Sequence, residues 1–216
     1  MIKSKAWSWN WDATVAPWWE EPAPEVYPLL TKWSKAGFKK LLDLGCGIGR
    51  HAVLFASNGF DVDAFDLSEE GVKKLEKLSQ SKYLSIKSKI GDMLSLPYKD
   101  SSFDCIIAYH VIYHADDEGI KKAISEIERV LKKNGEAYLT FNTQNSTSFK
   151  DPDNKHITRN TIVKEKGHEA GIPHFYSTKQ DVENLLKDFK ILEFTYKEEY
   201  YPNYTGTHYF VLVKKV

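Results

Sequence analysis

Cysteine is nearly absent, with only Cys46 and Cys105 among 216 residues. Two thiols make neither a disulfide framework nor a zinc-binding set, so both are expected to be reduced and buried. No apolar run approaches the roughly 18 residues of a membrane helix, and MIKSKAWSWNWD lacks the apolar stretch of a secretory signal. A cytoplasmic location away from membranes follows as the expectation. Net charge is also missing, since 30 basic residues balance 30 acidic ones and the only arginines are Arg50, Arg129 and Arg159. Without a positive field or arginine clusters, no nucleic-acid partner is expected, and a small-molecule partner is. His156, His168, His174 and His208 are scattered without metal-ligand spacing, so no metal is expected. Oligomeric state is left open.

Apolar residues are not lacking, and a 42% hydrophobic share is enough to build one core at this length. The chain is read as one domain over 1–216. Residues 1–39 form a tryptophan-rich cover, and 143–177 form a polar excursion beside the site. All six tryptophans, at 7, 9, 11, 18, 19 and 33, precede the first predicted strand. Two readings of them are open: packing against the sheet edge, or a lid over an acceptor.

From Lys40 short apolar runs alternate with amphipathic stretches, the pattern of a parallel sheet wound with helices. Strands are predicted at 41–44, 61–66, 84–90, 103–111 and 136–142, with helices at 49–59, 68–80 and 117–135. Ser68 is a natural N-cap followed by Glu69 and Glu70. STKQDVENLLKDF (177–189) reads as a helix with Ser177 and Gln180 spaced as a capping box. KILEFTYKEEY and HYFVLVKKV follow as a closing antiparallel pair.

The chemistry concentrates in LLDLGCGIGRH (Leu41–His51). A glycine turn between strand and helix lets backbone N–H groups approach a ligand. The dinucleotide fingerprint needs a sixth-position glycine, and Arg50 stands there instead. Asp43 would place a carboxylate near the ligand, which repels a pyrophosphate and suits an ammonium or sulfonium. Asp66 ends the second strand, where a carboxylate can accept from ribose hydroxyls. Asp92, in IGDML, offers an acceptor to an exocyclic amine beside Met93 and Leu94. Asp43, the glycine turn, Asp66 and Asp92 thus fall at the carboxyl ends of three successive strands, where open parallel sheets bind ligands.

These residues, with GDMLSLPYKDSSFDCIIAYHVIYH and RVLKKNGEAYLTF, resemble the class I S-adenosylmethionine-dependent methyltransferases from about Lys40 to Asn142. The resemblance implies an α/β Rossmann-like three-layer sandwich whose seven-stranded, mostly parallel sheet has an antiparallel last strand. It implies S-adenosyl-L-methionine as cofactor, with Asp43, Gly45, Cys46 and Gly47 at the methionine end. Asp66 and Leu67 would hold the ribose and Asp92 and Met93 the adenine, with Tyr109 and His110 flanking the cofactor. His110 and His114 are the candidate bases, with the alternative that His110 packs or hydrogen-bonds beside the cofactor and His114 caps the next helix. AYHVIYH lacks the motif of the nucleic-acid amino-methyltransferases, which points to a small-molecule acceptor. HFYSTKQ (174–180) and Tyr196, Tyr200, Tyr201 and Tyr204 could line its pocket. Two alternatives stay open: a non-catalytic cofactor-binding module, and a nicotinamide oxidoreductase.

Overall fold

A computed structural model describes residues 20–167, 169–201 and 204–216, apart from the Tyr201 side chain. The first element is α1 (Val26–Lys35), which buries Val26, Leu29 and Trp33. The predicted alternation then follows as β1 (Lys40–Leu44), α2 (Arg50–Ser57), β2 (Asp61–Asp66), α3 (Glu69–Ser81), β3 (Ile86–Ile90), β4 (Phe103–Ala108) and α4 (Asp117–Val130). Ser68 caps α3 by accepting from the Gly71 N–H. Helix α4 stops at Val130 rather than at Gly135, and β5 (Leu131–Thr143) begins there with Leu131 beside Phe103.

The strands run β3-β2-β1-β4-β5, all parallel. The second half of β5 then pairs antiparallel with β10 (Tyr204–Lys215), which pairs with β9 (Phe189–Tyr201). These seven strands match the expected sheet, with β10 opposed to β5. Side chains alternate to the two faces, as pleating requires. Leu42, Leu44, Ile106 and Ala108 join the core under α4, while Leu41, Val62, Cys105 and Ile107 join the core under α1 and α2. Both cysteines are buried and free, as expected.

The 143–177 segment is more ordered than its polar composition suggests. It forms α5 (Thr147–Lys150), β6 (Lys155–His156), β7 (Thr161–Val163) and β8 (Pro173–Ser177), giving ten strands among the described residues. Strands β6, β7 and β8 pair antiparallel, and β8 joins β5 at Asn142 and Thr143, just beyond the last β4 pairing at Leu139. This small sheet therefore stands over the carboxyl end of β4. The capping box of α6 (Lys179–Leu185) lies one residue later than predicted, on Thr178 and Asp181. Ser177 instead ends β8 and donates to the Asn142 carbonyl at 2.8 Å.

Of the six tryptophans, Trp33 alone falls within the described residues. It is fully buried against Phe55 and donates its Nε1–H to Glu136 at 2.8 Å. For this residue the packing reading holds, and the other five lie outside the described residues.

Candidate active-site cleft

A cleft of about 860 Å³ opens over the carboxyl ends of β1, β2 and β4. That volume is in the upper part of the range of small-molecule sites. The glycine turn forms its floor, with Gly45, Gly47 and Gly49 at φ 71°, 53° and 87°. A Cβ on Gly45 would lie 2.3 Å from Val111, and one on Gly49 would lie 2.2 Å from Leu75. The glycines are thus required by backbone conformation and by close packing.

The turn's amides are largely used within the protein. Gly45 and Cys46 N–H donate to the Phe65 carbonyl, Gly49 N–H donates to the Cys46 carbonyl, and Gly47 N–H donates to Asp66 Oδ2 at 2.7 Å. This differs from the expectation that these amides face a ligand.

Asp66 lines the cleft from the end of β2. Its Oδ1 also accepts from the Ser68 N–H at 2.7 Å, so two amides fix the carboxylate and each oxygen keeps a lone pair. Burial raises its pKa, while the Ser68 and Gly47 amides pull it down. Asp43 is placed differently. It is buried beneath the turn, 1% exposed, with Oδ2 accepting from the Ala52 N–H at 2.9 Å, so it anchors the first turn of α2. Burial drives its pKa up to about 7.

Asp92 follows β3, where Oδ1 accepts from the Leu94 N–H at 2.9 Å, and it lines the cleft with Met93, Leu67 and Cys46. Arg50, read from sequence only as the missing glycine, also lines the cleft. Its guanidinium lies 5.3 Å from the Tyr109 ring centre. A lone arginine opening a helix beside a glycine turn was the signal for it.

Beyond β4, Tyr109, His110 and His114 all line the cleft. His110 has a left-handed backbone, φ 54°, and packs its ring 4.4 Å from that of His208. Burial first, and then His208, holds its imidazole well below the ordinary histidine pKa. His114 Nδ1–H donates to the Val111 carbonyl at 3.1 Å, and its Nε2 lies 3.6 Å from Glu169. The opposite wall comes from the small sheet and the β9–β10 hairpin, with Glu169, His174, Tyr176, Glu199, Tyr204 and His208. Of the other aromatics expected there, Tyr196 and Tyr200 instead pair with Glu198 at an exposed place on β9.

The donor set suits S-adenosylmethionine. The fixed Asp66 carboxylate can accept from a diol, and Arg50 offers a cation with which a carboxylate could pair. Met93 and Leu67 give apolar contact.

Residues 42–139 match the family model described as a methyltransferase domain. Norajmaline N-methyltransferase of Rauvolfia serpentina is 32% identical over 56% of this chain and 43% of its own, so the chain spans less than half of that relative's length. A solved S-adenosylmethionine-dependent methyltransferase from Methanosarcina mazei superposes with TM-score 0.75 at 22% identity, covering 91% of this chain and 99% of its own. The Burkholderia thailandensis 1,6-didemethyltoxoflavin N1-methyltransferase, solved with its substrate and S-adenosylhomocysteine, gives 0.67 at 16%, covering 93% and 81%. These two structures share the fold. With the glycine turn and the strand order in agreement, residues 42–139 match the methyltransferase-domain family, and the chain shares the fold of solved S-adenosylmethionine-dependent methyltransferases.

Proposed function

We propose that the chain transfers a methyl group to a small-molecule acceptor held between the glycine turn and the wall built by β8 and β10. The observation that carries this is Asp66, fixed by two amides at the end of β2 and facing a cleft with room for more than one ligand. In this reading Asp66 and Leu67 hold the ribose, and Asp92 and Met93 hold the adenine. Cys46, Gly45, Gly47 and Arg50 surround the methionine end, while Asp43 supports them from below. Tyr109, His110 and His114 stand at the junction of cofactor and acceptor.

The bound cofactor supplies a methyl group on a sulfonium, already an activated leaving group. What the residues contribute is alignment, and holding the reacting atoms in line is the dominant effect. His110 sits among the rings of Tyr109, Tyr113, His208 and Phe210, where its depressed pKa keeps it neutral beside a cationic cofactor. An acceptor amine that binds in its neutral form needs no proton removed before attack, so no base is required for that class. The small-molecule methyltransferases among the relatives and a net charge of zero both support a small acceptor, and this reading places the reaction in the cytoplasm.

Titration of the purified chain with S-adenosylhomocysteine and with NAD tests the reading. Micromolar binding of the first and none of the second is expected, and the reverse would overturn it. Transfer of a labelled methyl group to members of an amine, hydroxyl and thiol panel would establish the activity. Tight cofactor binding without transfer to the panel or to cell lysate would favour a non-catalytic binding module.

A further inference from the structure

Sequence spacing among the histidines gives no metal signature, but the fold brings two of them onto one carboxylate in the cleft wall. His114 comes from the loop after β4, His174 from β8, and Glu169 from the turn between β7 and β8. One donor atom from each lies within 4.8 Å of the others.

The hydrogen bonds at the backs of the rings set their chemistry. His114 Nδ1 faces the Val111 carbonyl at 3.1 Å, and His174 Nδ1 faces the Ile172 carbonyl at 2.9 Å. A carbonyl only accepts, so each Nδ1 carries a hydrogen and each neutral ring turns the lone pair of Nε2 toward Glu169. Metal-ligating histidines are held in this way, with the far N–H on a backbone carbonyl or carboxylate.

His174 is 1% exposed, and its Nε2 has no hydrogen-bond partner although it lies 3.3 Å from Glu169 Oε2. His114 Nε2 lies 3.6 Å from Glu169 Oε1. Two lone pairs at such distances from a carboxylate repel it, and a metal cation among them would convert that repulsion into attraction. Ligand atoms bound to one tetrahedral ion at about 2.0–2.1 Å stand about 3.3 Å apart, which these separations approach. Lys164 pairs with the same carboxylate at Oε2, as an outer partner of a ligating carboxylate does. The backbone is pinned as well, because the Phe175 N–H donates to the Tyr113 carbonyl at 2.8 Å and ties β8 to the histidine loop.

We propose that His114, Glu169 and His174 bind one divalent transition-metal ion of the zinc type, leaving an open coordination position toward the cleft. Two imidazoles and one carboxylate are a ligand set of catalytic zinc centres, whose fourth position takes water or substrate. In this cleft the position would take an oxygen or sulfur donor of the acceptor. That last clause rests on the methyltransferase reading, whereas the metal site does not. A second group, His110, Glu199 and His208, lies across Tyr113. It shows no comparable pair of carbonyl-oriented rings among the described bonds and is the rival location.

The test titrates chelator-treated, tag-free full chain with Zn²⁺ by calorimetry and with Co²⁺ by visible absorption. One ion per chain is expected, with the d–d bands of a four- or five-coordinate N/O site. Glu169→Gln and His174→Ala should each weaken binding at least about tenfold while circular dichroism stays native, and His208→Ala should not. Glu169, whose side chain is 20% exposed, keeps the test open if the fully buried His174 variant fails to fold. Absence of binding, equal affinity in Glu169→Gln, or loss on His208→Ala alone would overturn the proposal. Titration of the same metal-free proteins with S-adenosylhomocysteine separates it from the methyltransferase reading, since either can fail while the other stands.

Discussion

Asp66 and Asp43 carry the same side chain in two different roles, and their surroundings decide which. Asp66 accepts two backbone amides and still faces the cleft. Asp66→Ala should weaken S-adenosylhomocysteine binding by about 1–3 kcal/mol, the cost of leaving a polar pair unmade. Unchanged calorimetric affinity in a folded variant would remove Asp66 from the site. Asp43 makes the opposite prediction, about stability. Its folded pKa of about 7 lies above the ordinary carboxylate value of 3.8, so its favourable contribution is complete below pH 4 and is lost as pH rises through 7. Asp43→Asn can keep a side-chain oxygen for the Ala52 N–H without acquiring charge. Its stability relative to the native sequence should therefore grow between pH 4 and pH 7, by up to about 4 kcal/mol at roughly 1.4 kcal/mol per unit. Urea unfolding at several pH values measures this, and parallel curves for the two proteins would refute it.

At the scale of elements, the joint between β1 and α2 sets the floor of the site. Gly49 precedes α2 at φ 87°, and a Cβ there would strike Leu75 of α3. Gly37, at φ 76° in the α1–β1 turn, has open space around it. Gly37→Ala should therefore cost only the backbone term, about 1–2 kcal/mol. Gly49→Ala should cost that plus overpacking of about 1–3 kcal/mol. Thermal unfolding of both variants checks the order, and equal losses would mean that Leu75 moves aside freely. Capping was legible in the sequence where a single short polar side chain determined it, as at Ser68. It slipped by one residue at α6, because Ser177 and Thr178 are adjacent and only the pairing of Ser177 with Asn142 across β8 and β5 separates their roles.

Taken as a whole, the molecule places its best-protected strands beneath its chemistry. β1, β4 and β5 have neighbours on both sides, whereas β3 is an edge strand with largely exposed residues. Amide hydrogen exchange should be slowest in β1, β4 and the central part of β5, and fastest among the parallel strands in β3. S-adenosylhomocysteine should add protection at 45–51, 66–68 and 91–94 while leaving β3 unchanged. Protection spread evenly over the sheet would contradict the placement of the cofactor over β1 and β2. No helix among the described residues is long and apolar enough to cross a membrane.

The sequence by itself determined the parallel sheet, its order of elements and the glycine turn, because period, short caps and left-handed positions are local properties of the chain. It also singled out Asp66 and Asp92, since strand ends in such a sheet are where ligands meet it. Only the tertiary structure decided that Asp43 turns inward and that most of the turn's amides are used internally. The same holds for β6, β7 and β8, which are too short to show a period, and for His174, Glu169 and His208, which meet His114 and His110 across 55 to 98 residues of sequence. These depend on pairings between distant segments, and no local pattern records which distant partner a side chain will face.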